Sequence, residues 1–116
     1  MSDCLFCGII AGEVPAQIVH ETDLTVAFRD ISPVAPVHVL VVPRRHIENA
    51  STIDPEHAPD VSALFSSARS IAESEGIATS DRGYRLVFNV GSDANNTVPH
   101  LHLHVLGGRS MSWPPG

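Results

Sequence analysis

Apolar positions along this chain recur at two different spacings, and the alternation between them lays out its elements. Leu5 to Ala11 predicts a short apolar helix ended by Gly12, with Val14-Pro15 as the exit. Ile18 to His20 and Thr25 to Arg29 predict paired strands, joined by the polar turn Glu21-Thr22-Asp23. Asp30-Ile31-Ser32-Pro33 breaks the pattern. Val34-Ala35-Pro36 then keeps the chain extended into a strongly apolar central strand, His38 to Val42, closed by Pro43. Asp54-Pro55 supplies a cap and first position for one long helix, whose start Pro59 could delay by a turn. Val61, Leu64, Phe65, Ala68, Ile71 and Ala72 fall on one face of it as a core stripe, and Gly76 ends the run. Tyr84 to Asn89 predicts a further strand, and the polar stretch Gly91 to Thr97 leads into the last one.

That last segment, His100-Leu101-His102-Leu103-His104-Val105-Leu106, carries the chemistry. Side chains switch faces at each step of an extended strand, so the three imidazoles are expected on one face about 6.5–7 Å apart, with the leucines and Val105 turned to the core. Imidazole is a good nucleophile with a proton exchanged near neutrality, so a trio on a rigid element suits proton shuttling, covalent transfer or metal binding. Two readings follow: a zinc trio, or a nucleophile flanked by helpers.

With 116 residues, residues 1–116 are read as one domain able to bury an ordinary core without disulfide staples. The net charge of −6 excludes the positive field that polynucleotide binders use, leaving a small anionic ligand held by local groups. No basic-apolar leader opens the sequence and no apolar run approaches the roughly 18 residues of a membrane span, so the chain is expected in the cytoplasm, with no membrane partner. In a reducing compartment, Cys4-x-x-Cys7 is a metal half-site or a redox motif before it is a disulfide. The redox motif wants a preceding strand for which there is no room, so half a zinc site is favoured over two inert thiols. The tail from Gly107 to Gly116 cannot be a helix, and its lone Trp113 needs a surface to pack on, which a partner subunit would supply.

These residues resemble the histidine-triad superfamily, whose signature His-φ-His-φ-His-φ-φ (φ apolar) is met at every position from His100 to Leu106. The ending G-G-R-S-M-S-W-P-P-G, the segment A-F-R-D-I-S-P-V-A-P-V-H and the start F-C-G-I-I-A-G-E-V-P are similar to the Hint branch, and together they cover nearly the whole chain. The resemblance implies an α+β fold: a five-stranded antiparallel sheet with one long and one short helix, pairing in a homodimer into a continuous larger sheet. It also implies a purine nucleoside phosphoramidase, releasing AMP or GMP from phosphoramidates and acyl-adenylates through a nucleotidyl-histidine on His102. His104 would face the phosphoryl oxygens or the leaving amine, and His38 and His100 would complete the catalytic set.

By the same likeness, Asp30 would accept the ribose hydroxyls beside Ile31, and Phe6, Ile9 and Phe28 would form an apolar slot for the base. Asn89, Asn95, Asn96 and Thr97 would hold the α-phosphate and leaving group. Apart from the likeness, the tail carrying Trp113 is expected to reach the partner subunit's active site and shape substrate choice. Cys4, Cys7, His46 and His100 resemble the ligands of the zinc-bearing bacterial members, a Cys₂His₂ set whose closed coordination marks structural zinc. The sequence departs from the animal Hint pattern at Asn95-Asn96-Thr97, where a Gly-Gln-Ser type stretch would stand, and at Arg29, where a histidine would. Two other readings share these residues: a dinucleoside polyphosphate hydrolase of the Fhit branch, and a non-catalytic nucleotide- or zinc-binding scaffold.

Overall fold

The structure, a computed structural model, describes residues 4–116. Five strands, β1 (Ile18–Glu21), β2 (Thr25–Arg29), β3 (Val37–Pro43), β4 (Tyr84–Val87) and β5 (Leu103–Gly107), form one antiparallel sheet in the order β1-β2-β3-β5-β4. Helix α1 (Leu5–Ile10) precedes the sheet, and α2 (Ala58–Ser74) lies between β3 and β4. The expected α+β class, strand number and helix pair are thus the ones observed. No helix among the described residues is long and apolar enough to cross a membrane.

β3 organises the molecule. All seven of its residues are buried, because β2 and β5 flank it and both of its faces are covered. Its odd positions, Val37, Val39 and Val41, pack with Leu101, Leu103 and Val105 against Leu64, Ala68 and Ile71 of α2. Each such large apolar side chain contributes roughly 1.5–3 kcal/mol when fully buried. Its even positions face the other way, where Leu40 and Val42 join Val26, Phe28 and Phe6 of α1 in a second cluster. The period of two therefore puts His38 on the same face as His102 and His104, away from the helix-covered core. A buried hydroxyl pair, Thr25 Oγ1 and Ser67 Oγ at 2.8 Å, and the Arg29–Glu75 ion pair at 2.7 Å fasten α2 to β2.

Several expectations are corrected. Regular strand begins only at Leu103, since the Leu101 amide donates to Ile47 O at 2.6 Å instead of joining the ladder, so His100 and His102 precede the strand. Leu106 shares the histidine parity and is half-buried rather than turned to the core. Pro55 opens a separate 3₁₀ turn, Pro55–His57, and α2 starts at Ala58, where Pro59 fits the first turn because no intrahelical partner is needed for its missing N–H. Phe65 lies at the margin of the stripe, 44 % exposed, with its ring edge against Phe88. β4 ends at Val87, two residues short of Asn89. A second 3₁₀ turn, Ala50–Thr52, is capped by the Asn49 side chain, a signal present in the sequence as Asn-x-x-Thr.

Candidate active site and metal centre

The chain enters β5 through His100, His102 and His104, and their rings meet two different environments. His100 is fully buried. Its Nε2 donates to Pro43 O at 2.9 Å, which leaves Nδ1 unprotonated and turned toward the cysteines. Around that nitrogen stand Cys4 Sγ at 3.3 Å, Cys7 Sγ at 3.5 Å and His46 Nδ1 at 3.1 Å, with Cys7 Sγ 3.3 Å from His46 Nδ1. All four donor atoms fall within 4.8 Å of one another. A tetrahedral ion bound at about 2.0–2.3 Å from nitrogen and sulfur separates its ligands by spacings of this size, so the set fits zinc. The hydrogen bond to Pro43 O is the outer contact that fixes a ligating imidazole. Burial pushes the His100 pKa down, which keeps the ring in its ligating neutral form, against the opposing pull of the Pro43 carbonyl.

His102 is oriented differently. Its Nδ1 lies 2.7 Å from the His100 carbonyl, an acceptor, so the proton sits on Nδ1 and the Nε2 lone pair is the reactive one. The Phe6 ring meets it edge-on at 5.1 Å between centroids, and Phe6 meets Phe28 at 5.3 Å, so two buried aromatics form an apolar wall beside the His102 ring. Ile9 packs on the same cluster.

His104 stands 5.0 Å from His102, centroid to centroid. Hydrogen bonds fix its tautomer too. The Val34 amide donates to His38 Nδ1 at 3.1 Å, so the His38 proton is on Nε2, which faces His104 Nδ1 at 2.9 Å. His104 Nδ1 is therefore an acceptor and its Nε2 carries a hydrogen. Asp30 Oδ2 lies 3.4 Å from the same His38 Nε2, while Oδ1 accepts the Ser32 amide at 2.8 Å. Burial, then the neighbouring His102 and His38, push the His104 pKa down to about 4, so its ring is neutral at pH 7. His38 is lowered as well, by burial first, with Asp30 opposing.

The structure thus brings Phe6, Ile9, Phe28, Asp30, His38, Asn89, His102 and His104 to one face. The Asn89 side-chain amide lies 3.5 Å from His104 Nε2, and with a hydrogen on that ring nitrogen the amide must turn its oxygen, not its NH₂, toward it to accept. Asn95, Asn96 and Thr97 lie in the loop just before the row. Asn95 adopts a left-handed φ of 60°, which asparagine tolerates, and Asn96 Oδ1 is buried with no hydrogen-bond partner among the described residues. Ile31 and Trp113 stand in solvent, 97 % and 83 % exposed. Sequence reasoning missed the main-chain groups of His100, Val34 and Pro43. A carbonyl two residues before the central histidine is implicit in any such row, but the other two depend on the fold.

Known proteins resemble this chain along nearly its whole length. The profile described as HIT domain matches residues 11–111. The 14 kDa zinc-binding protein of Brassica juncea is 39 % identical over 98 % of this chain and 100 % of its own. Adenylylsulfatase HINT1 of Arabidopsis thaliana is 39 % identical over 99 % of this chain and 78 % of its own. The crystal structure of a HIT family hydrolase from Legionella pneumophila Philadelphia 1 superposes with a TM-score of 0.93 at 45 % identity, covering 98 % of this chain and 100 % of that one.

Proposed function

Because the chain belongs to the HIT domain family, we propose that it is a nucleotidyl hydrolase that binds a purine nucleotide and uses His102 as its nucleophile. The observation that carries this reading is the 2.7 Å contact from His102 Nδ1 to the His100 carbonyl, which frees Nε2 for attack on phosphorus. Nε2 bonds to the α-phosphorus of a nucleoside phosphoramidate, the P–N bond breaks and the amine departs. Water then attacks the nucleotidyl-histidine, releasing AMP or GMP and the free ring. His104 Nε2–H donates to the phosphoryl oxygens as charge grows on them. With His104 held neutral, the departing nitrogen leaves with a proton already on the substrate.

In this reading Asp30 turns from His38 to the ribose hydroxyls, the Phe6–Phe28 wall takes the base, and Asn89, Asn95, Asn96 and Thr97 line the phosphate and leaving group. Zinc on Cys4, Cys7, His46 and His100 supplies a structural crosslink and takes no part in the bond changes. A homodimer pairs the exposed β4 edges into a longer sheet, and Trp113 reaches the partner's site.

A second reading rests on the same neutral His104. A sulfate leaving group needs no proton, and the Arabidopsis relative is named for adenylylsulfate cleavage. Mass spectrometry of enzyme quenched during turnover tests the common step: an added nucleotidyl mass on His102 is expected, and turnover without adduct at that ring would overturn it. Relative rates on adenosine phosphoramidate and adenylylsulfate rank the two substrate classes.

A further inference from the structure

The His38–His104 pair is held from outside the site. Arg109, two residues past β5, sends Nε to Val34 O at 3.1 Å and Nη1 to Ser110 O at 3.2 Å. Val34 is the residue whose amide fixes the His38 tautomer at 3.1 Å. One residue further back, Gly108 has φ +91°, and a Cβ there would lie 2.9 Å from Pro36 Cβ. The turn after β5 is therefore pressed against segment 34–36 at two points, and that segment leads directly into β3 and His38.

We infer that Arg109 is a positioning residue for His104, acting through Val34 and His38. The inference rests on the proposed role of His104 as a hydrogen-bond donor to the reacting phosphate. Arg109 holds the Val34 carbonyl, and the Val34 amide occupies the His38 Nδ1 lone pair. The His38 proton is then confined to Nε2, where it meets His104 Nδ1 at 2.9 Å. The only ring nitrogen of His104 left to carry hydrogen is Nε2. Without the Arg109 contact, segment 34–36 can shift, and His38 gains access to its other tautomer. A His38 protonated on Nδ1 turns a lone pair toward His104 Nδ1, which flips the His104 proton inward and removes the donor from the site. Arg109 reaches the chemistry without touching the nucleotide, so its loss lowers kcat and leaves KM in place.

The test is ¹⁵N ring spectroscopy of the full chain, which reports the protonated nitrogen of each histidine, run alongside kinetics. In the native protein, His38 and His104 are expected with hydrogen on Nε2 alone; hydrogen on His38 Nδ1 would overturn the inference. In Arg109→Ala the His104 resonances should average between tautomers while kcat falls about tenfold. Arg109→Lys, which keeps a donor, should restore kcat to within about twofold of native. Unchanged His104 tautomers in Arg109→Ala would refute the coupling, as would a loss expressed only in KM. Deleting Ser112 to Gly116, which spares Arg109, should leave both tautomers in place. Because the tautomers are read without turnover, this result stands apart from the identity of the substrate.

Discussion

His100 and His102 are joined by one hydrogen bond, 2.7 Å from the ring Nδ1 of the second to the main-chain oxygen of the first, while the ring of the first faces the cysteines. One residue thus belongs to the donor cluster by its side chain and to the reactive centre by its backbone. Substituting His102→Ala removes the nitrogen proposed as the nucleophile and leaves that backbone alone. Turnover of adenosine phosphoramidate should fall by on the order of 10³-fold or more. AMP should still bind, as read by calorimetry.

The cluster itself makes a prediction about stability. Purified protein should contain zinc near one equivalent per chain, and Cys4→Ser should lower that content together with the melting temperature. Hydrolysis should persist at temperatures where the variant remains folded. Full zinc content in the variant, with hydrolysis abolished by EDTA, would instead make the ion catalytic.

Stability should also follow the depressed basicity of His104. The folded state takes up no proton there until pH falls to about 4, whereas the unfolded chain does so near 6.5. The folded form is therefore favoured most above pH 6.5, and that advantage is lost as pH drops through the window toward 4, by on the order of 2 kcal/mol. Buried His38 shifts in the same direction. Urea unfolding at pH 7 and pH 5 reads the effect, and the difference between native protein and His104→Gln isolates the share of this ring. A variant with an unaltered pH slope would show that the shift is absent.

The exposed β4 edge and the exposed Trp113 predict assembly. Sedimentation equilibrium should give twice the mass of one chain. Arg85 holds the tail through the Ser112 carbonyl, so deleting Ser112 to Gly116 should change the ranking of leaving groups even where the dimer survives. No change in either quantity would assign the tail no part in substrate choice.

Packing in the core gives a calibrated check. Leu64 is wholly buried between α2 and the odd face of β3, and Leu64→Ala should cost about 2–5 kcal/mol in denaturant unfolding.

Much of this was legible in the sequence because apolar runs, turn residues and the alternating histidine segment mark out the elements. Val37, Val39 and Val41 face one way and His38 the other, but the period does not say which strand lies alongside; the resemblance set His38 beside the histidine row, and the pairing of β3 with β5 is a tertiary fact. The same period misread Leu106, which follows the histidines in parity, and it extended the strand back to His100, where a loop bond from Leu101 to Ile47 interrupts the ladder. Phe65 was read as core since its spacing fits the stripe, yet its position on the margin follows from how far the sheet reaches, a tertiary fact. The four donors Cys4, Cys7, His46 and His100 lie up to 96 positions apart, and only the resemblance united them before the fold did. Main-chain partners such as Val34 N–H have no residue-type signature, and so the proton order along His38 and His104 could not be read from letters.

The wholly enclosed β3 strand bears on how relatives of this chain can diverge. Any change in its seven residues must be accommodated by two neighbouring strands and by the layers above and below. Change is accommodated more readily in the solvent-facing stretches around Gly91–Thr97 and Ser110–Gly116, where few packed neighbours must adjust. A lineage can acquire new preferences there while inheriting its reactive centre intact.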